Sequence, residues 1–135
     1  MQYSEVPWKD ILVDTKQFTV FKDKYPVTEG HVLFVPKIED WEHLTECFKA
    51  AYKWGYDWVE RGYCDAFNIG QNVGEAAGQT VMYPHIHLIP RRTGDMEDPR
   101  GGVRHVIPEK GNYRKVPEAT KEYYEFVAKQ ERFDF

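Results

Sequence analysis

The sequence predicts an α+β domain, an antiparallel sheet carrying one long helix and a shorter C-terminal helix. Three observations carry that expectation. Short runs rich in β-branched and aromatic residues are joined by hairpin-length connections. One window of about 20 residues switches to a three-and-four apolar period. From Tyr83 to Leu88, ring and aliphatic residues alternate with period two, as along a strand. A chain of 135 residues has the length of one domain, so residues 1–135 are expected to form a single core.

In chain order, Met1 to Asp10 carries Tyr3, Val6 and Trp8 without a clear period and reads as an irregular lead-in. Ile11 to Thr15 and Gln17 to Phe21 are two β-runs separated by Lys16, a connection suited to a hairpin. Asp23 to Gly30 is rich in turn residues. His31 to Val35 is a near-continuous apolar strand ended by Pro36, which suggests a central place in the sheet. From Glu39, the residues Trp41, Leu44, Phe48, Ala51, Tyr52, Gly55 and Val59 repeat as one helical face, with Asp40 placed to cap the helix. That aromatic stripe is expected to pack on the sheet. Cys64 to Gly70 reads as a strand, followed by a Gly-rich loop and the alternating stretch. Pro84 cannot donate to a ladder, so either regular pairing begins after it or its position has no partner to serve. Gly94 to His105 is polar and irregular, with the makings of a lid, and Pro117 to Val127 reads as a short terminal helix.

Composition narrows the classes of function. Hydrophobic residues make up 41% and aromatics 16%, which is too much for a chain disordered by lack of apolar content. No run approaches the roughly 20 apolar residues of a membrane span, and the first ten residues lack a signal-peptide core, so a cytoplasmic protein without a membrane partner is expected. With 18 basic and 22 acidic residues the net charge is −4, which argues against nucleic acid as a partner. A small nucleotide is compatible with that charge, because backbone amides and imidazoles can make one pocket locally positive. Cys47 and Cys64 have no metal-spaced companions and are expected to be free thiols.

The stretch from Asn72 to Arg92 holds the chemistry. Its first half is rich in Gly and Ala, which lets backbone N–H groups approach an anion. In its second half, Tyr83, His85 and His87 fall on one face of a strand and Pro84, Ile86 and Leu88 on the other. The combination of Gly78-Gln79-Thr80-Val81, then His85-Ile86-His87, then Leu88-Ile89-Pro90-Arg91, with an earlier Gly30-His31-Val32-Leu33, resembles the histidine triad (HIT) nucleotide hydrolases and transferases. The resemblance runs from about Ile11 to Arg92, and Tyr83 stands where the first histidine of the triad is usual.

The resemblance implies a five-stranded sheet, a homodimer and chemistry at the α-phosphate of a dinucleoside polyphosphate or related nucleoside phosphate. An unprotonated imidazole nitrogen is a competent nucleophile, and the resemblance implies that His85 is the candidate and that its second ring nitrogen is held by the Tyr83 backbone carbonyl. The resemblance further implies that His87 contacts the α-phosphate or leaving oxygen and that His31 supports the phosphate side. Asn72 and Thr80 would hold the remaining oxygens, and Asp23 the ribose hydroxyls, although an Asp at the start of a turn also bonds its own backbone. Tyr83 is expected to position groups through its hydroxyl. Gln79 reads as structural, and the purine is expected against Phe18 or Phe21. No protein-bound metal is expected, which leaves room for magnesium carried by the substrate phosphates. Two other readings stay open at this point: a nucleotide sensor with little turnover, and a metal protein ligated by His85 and His87.

Overall fold

The computed structural model describes residues 1–129, and the chain divides into two compact units, Met1–Glu97 and a second beginning at Asp98. The first unit is an antiparallel sheet of five strands with one long helix. The strands are β1 (Ile11–Asp14), β2 (Phe18–Lys22), β3 (Val32–Pro36), β4 (Ala66–Gly70) and β5 (Ile86–Arg91), in the spatial order β1-β2-β3-β5-β4. The β1 and β2 strands form the expected hairpin, with a register irregularity between Ile11 and Val13. The β3 strand is central as its apolar run suggested, pairing with β2 on one side and β5 on the other, and all five of its residues are buried. Pairing on β5 begins after Pro84, so the missing N–H costs the ladder nothing.

Helix α1 (Trp41–Glu60) starts at Asp40, whose carboxylate accepts the His43 amide at 2.8 Å, a cap worth about 1 kcal/mol. The His43 ring also pairs with that carboxylate, at 2.7 Å, instead of standing free in solvent. The buried face of α1 is rotated from the stripe expected. Ala51 and Gly55 of that stripe are buried together with Cys47, flanked by Leu44, Trp54 and Trp58, whereas Trp41 and Tyr52 lie largely outside and Phe48 is partly exposed. Small residues at four-residue intervals let the helix sit close to the sheet, and bulky ones splay to its sides. Gly55 shows the constraint, since a Cβ there would lie 2.6 Å from the Phe67 ring of β4.

The sheet is apolar on both faces. Under α1 lie Val20, Val32, Phe34, Ile86 and Leu88. The opposite face carries a smaller cluster of Phe21, Leu33, Val35 and Tyr83, covered by Tyr3, Val6 and Trp8 from the lead-in. Phe18 and Phe21 are three apart on β2 and therefore point to opposite faces, into these two clusters. Cys47 and Cys64 are buried free thiols, and burial pushes the Cys47 thiol up to about 12.

The second unit is built from 3₁₀ turns at Gly102–Val106, Pro108–Lys110 and Tyr113–Lys115. Within it, Arg104 binds the carbonyls of Lys110 and Gly111. The terminal helix expected over Pro117 to Val127 is a 3₁₀ turn, Lys121–Tyr124, running into one α-turn, α2 (Glu125–Ala128).

Candidate active site

A cleft of about 580 Å³ opens on the face of the sheet away from α1. Its wall is made by Pro7 to Asp10 of the lead-in, Lys22 to Tyr25 at the end of β2, Leu33 of β3, Asn72, Gly78 to Val81, and the two imidazoles His85 and His87. Of the residues expected at the site, His85, His87, Asn72, Thr80 and Asp23 meet here. His31 lies behind the wall, against His87 and Asp23. Tyr83 shares this face of the sheet yet is covered.

His85 stands just before β5, buried and packed against Trp8, with ring centroids 4.7 Å apart. Its Nδ1 lies 2.8 Å from the Tyr83 carbonyl. A carbonyl only accepts, so Nδ1 carries the proton and Nε2 keeps the lone pair. Burial holds His85 below the usual histidine range, against the pull of the Tyr83 carbonyl and Asp23. At neutral pH this ring is uncharged, with its Nε2 lone pair free.

His31 and His87 form a chain of assigned tautomers. The Val27 amide donates to His31 Nδ1 at 3.1 Å, so that nitrogen is bare and His31 Nε2 carries the hydrogen. His31 Nε2 lies 2.9 Å from His87 Nδ1 and 3.4 Å from an Asp23 carboxylate oxygen, two acceptors for one proton. His87 Nδ1 is therefore also bare, and His87 presents Nε2–H on its far side. Burial, and then the adjacent His85 and His31, push His87 down to about 4. It acts as a neutral donor at physiological pH. Burial likewise lowers His31, with Asp23 opposing the shift.

Asp23 divides its two oxygens. One accepts the Tyr25 amide at 2.8 Å and closes the turn, while the other faces His31 at 3.4 Å and His87 at 4.0 Å. The turn role and the site role coexist. Gln79 links Gly74 and Val81, accepting from one at 2.8 Å and donating to the other at 3.0 Å. Gly78 ends the intervening turn at φ +92°, a conformation that L side chains rarely adopt.

Tyr83 is 1% exposed, and its hydroxyl donates to the Pro36 carbonyl at 2.6 Å. Burial, with Glu39 next in weight, raises that phenol to about 12. Its side chain makes no part of the cleft wall. Phe18 and Phe21 are absent from the wall too, and the aromatics that line it are Trp8 and Tyr25. Trp8 belonged to a stretch without periodicity, and no sequence signal marked it. A second contribution that sequence reading missed comes from Arg92, which donates to the Glu29 carbonyl at 2.7 Å while its guanidinium lies 4.7 Å from the Tyr63 ring. Thr28 donates to the Pro90 carbonyl at 2.6 Å. Together they hold the loop that brings the Val27 amide to His31.

Among the described residues, Asp23, His31 and His87 form the one group whose ligand-type atoms lie within 4.8 Å of one another. The donor chemistry suits a metal poorly. With Val27 donating to Nδ1, His31 would have to present a protonated Nε2 to the cation, and a protonated nitrogen has no lone pair to give.

The HIT domain family profile matches residues 5–94. The chain is 36% identical over 97 residues to adenosine 5′-monophosphoramidase of Saccharomyces cerevisiae, covering 66% of this chain and 58% of that protein. It is 32% identical over 107 residues to the asymmetrical bis(5′-nucleosyl)-tetraphosphatase of Schizosaccharomyces pombe, covering 73% and 58%. Among solved structures, a zinc-bound histidine triad family protein from Mycobacterium smegmatis superposes with a TM-score of 0.61 at 28% identity, covering 70% of this chain and 73% of that one.

Proposed function

The chain belongs to the HIT domain family, and on that premise we propose that it is a nucleotide hydrolase or nucleotidyl transferase acting through a nucleotidyl-His85 intermediate. The observation that carries this reading is the 2.8 Å contact between His85 Nδ1 and the Tyr83 carbonyl, which leaves Nε2 free to attack in the cleft. The HIT relatives named as hydrolases support nucleotide hydrolysis in general; their names divide between a phosphoramidate and a polyphosphate substrate.

In the first step a bond forms from His85 Nε2 to the α-phosphorus and the bond to the leaving group breaks, its electron pair departing with that group. In the second, water attacks phosphorus, the N–P pair returns to Nε2, and the proton of the water passes to solvent. Splitting one displacement in two is the gain of covalent catalysis. His87 Nε2–H would donate to a non-bridging phosphate oxygen, where charge is spread in the transition state. Asn72 and Thr80 line the same cleft and would take the other oxygens, and Asp23 the ribose hydroxyls. This reading routes no step through a protein-bound metal. Magnesium carried by the substrate phosphates is compatible with it.

The test is a quenched reaction with a radiolabelled adenine nucleotide, followed by intact mass and peptide mapping. A nucleotidyl adduct on His85 is expected. His85→Asn should keep nucleotide binding and lose about 10³-fold or more in rate. Since burial lowers the His85 ring, the unprotonated form persists through neutrality, and the rate should fall only as pH drops below the usual histidine range. Near-normal turnover by His85→Asn would overturn the assignment.

A further inference from the structure

The bond from His85 Nδ1 to the Tyr83 carbonyl sets the tautomer of that ring and leaves its plane open, because an imidazole held at one nitrogen can still swing about the N–O line. What meets the ring from another element is Trp8, with centroids 4.7 Å apart and planes inclined at 59°. His87 is the other neighbouring ring, at 5.2 Å.

Trp8 is itself anchored. Phe21 of β2 lies 6.0 Å from its ring. On the N-terminal side of Trp8, Val6 is buried and the Tyr3 and Thr19 hydroxyls share a hydrogen bond. On the C-terminal side, the Lys22 amide donates to the Asp10 carbonyl at 2.9 Å. A bulky ring tied down before and after in the chain can resist rotation of the imidazole it touches, and it takes up surface that water would otherwise reach.

We propose that Trp8 is a positioning residue for the reaction, its indole holding the His85 imidazole in the plane that aims Nε2 into the cleft and keeping water from that ring. The inference rests on the nucleotidyl-His85 reading. Asp10, Asp23, Lys9, Lys22, Lys24 and His87 are the titratable groups that share the cleft wall with His85, along with the Tyr25 phenol. Replacing Trp8 alters none of them, so a shift in the His85 titration reports water and not charge. Burial is the largest cause holding His85 below the usual histidine range, and loss of the indole should therefore raise it.

The experiment uses the whole chain, with diadenosine tetraphosphate as the probe for turnover and ¹⁵N spectra of the five histidine rings as a second readout that needs no substrate. Trp8→Ala should move the His85 titration, and with it the acid limb of the rate, up toward the ordinary histidine range while His31 stays unchanged. Its kcat should fall about 30-fold, the scale of a misaimed reacting group, with KM held within about threefold. Trp8→Phe, which keeps a flat ring, should recover kcat to within about threefold, whereas Trp8→Leu, which keeps apolar bulk alone, should restore the titration and not the rate. If Trp8→Ala loosens the whole lead-in, shown by movement of His31 as well, the Phe and Leu variants decide between them. Equal kcat in those two, an unmoved His85 titration in a folded Trp8→Ala, or a raised KM with kcat kept overturns the proposal while a nucleotidyl adduct on His85 stands. Absence of that adduct in the unaltered chain instead sinks the parent reading, and this proposal with it.

Discussion

At the scale of single residues, Tyr83, which the family resemblance sets where the first histidine of the triad is usual, uses its side chain for packing. Tyr83 gives its backbone carbonyl to His85 and its hydroxyl to Pro36, so one residue meets the cleft and the core through different atoms. Removing the hydroxyl strands a buried carbonyl. Tyr83→Phe should therefore cost about 1–3 kcal/mol of stability, read from urea unfolding, and lower the rate by about tenfold or less. A large kinetic loss with unchanged stability would show that the phenol acts on substrate. The carbonyl role was legible in the sequence because backbone geometry ignores the side chain. The hydroxyl's burial was not, since period-two alternation gives the face of a residue and says nothing of what covers that face. Phe18 and Phe21 failed for a related reason. Both are aromatic and near the site in sequence, yet their spacing of three sends one to each side of the sheet, and both sides are apolar.

At the scale of elements, the loop between β2 and β3 matters as much as the histidine strand. It carries Asp23, supplies the Val27 amide that fixes the His31 tautomer, and is tied down by Thr28 on Pro90 and Arg92 on Glu29. Sequence reading identified the loop by its turn residues and left Arg92 without a role, because a tether that joins positions 63 apart leaves no local signal. Arg92→Ala should weaken the hold on this loop and cost about 1 kcal/mol. Its more telling effect should be on the rings: ¹⁵N shifts of His31 are expected to move away from a pure Nε2–H tautomer, with a fall in kcat that exceeds any rise in KM. Unchanged ring shifts would remove the loop from the catalytic argument. The helix, by contrast, was legible in extent and cap, and Ala51 and Gly55 of the expected stripe are buried, whereas Cys47, which the stripe left out, is buried with them and Trp41 and Tyr52 are not.

At the scale of the whole molecule, the first unit buries apolar side chains on both faces of one sheet by unequal means. A 20-residue helix covers one face. The other is covered by a lead-in with a single 3₁₀ turn, Tyr3–Glu5, and one buried side chain, Val6. The profile of the family ends at residue 94 and the first unit at Glu97, so the five-stranded sheet and its long helix lie within that unit, while the short helix α2 lies in the second.

That unequal cover has a consequence for how the protein fails. Segments with few buried apolar contacts open at free energies below that of global unfolding, and this one carries Trp8, the ring packed on His85. Opening would admit water to His85 and Tyr83 while α1 and the sheet stay folded. Activity should accordingly vanish at a lower urea concentration than helical circular dichroism, with amide exchange from residues 3 to 10 faster than from β3 and β5 under native conditions. Coincident loss of activity and helicity would mean that the lead-in and the sheet unfold as one cooperative body, and that the site has no weaker seam of its own.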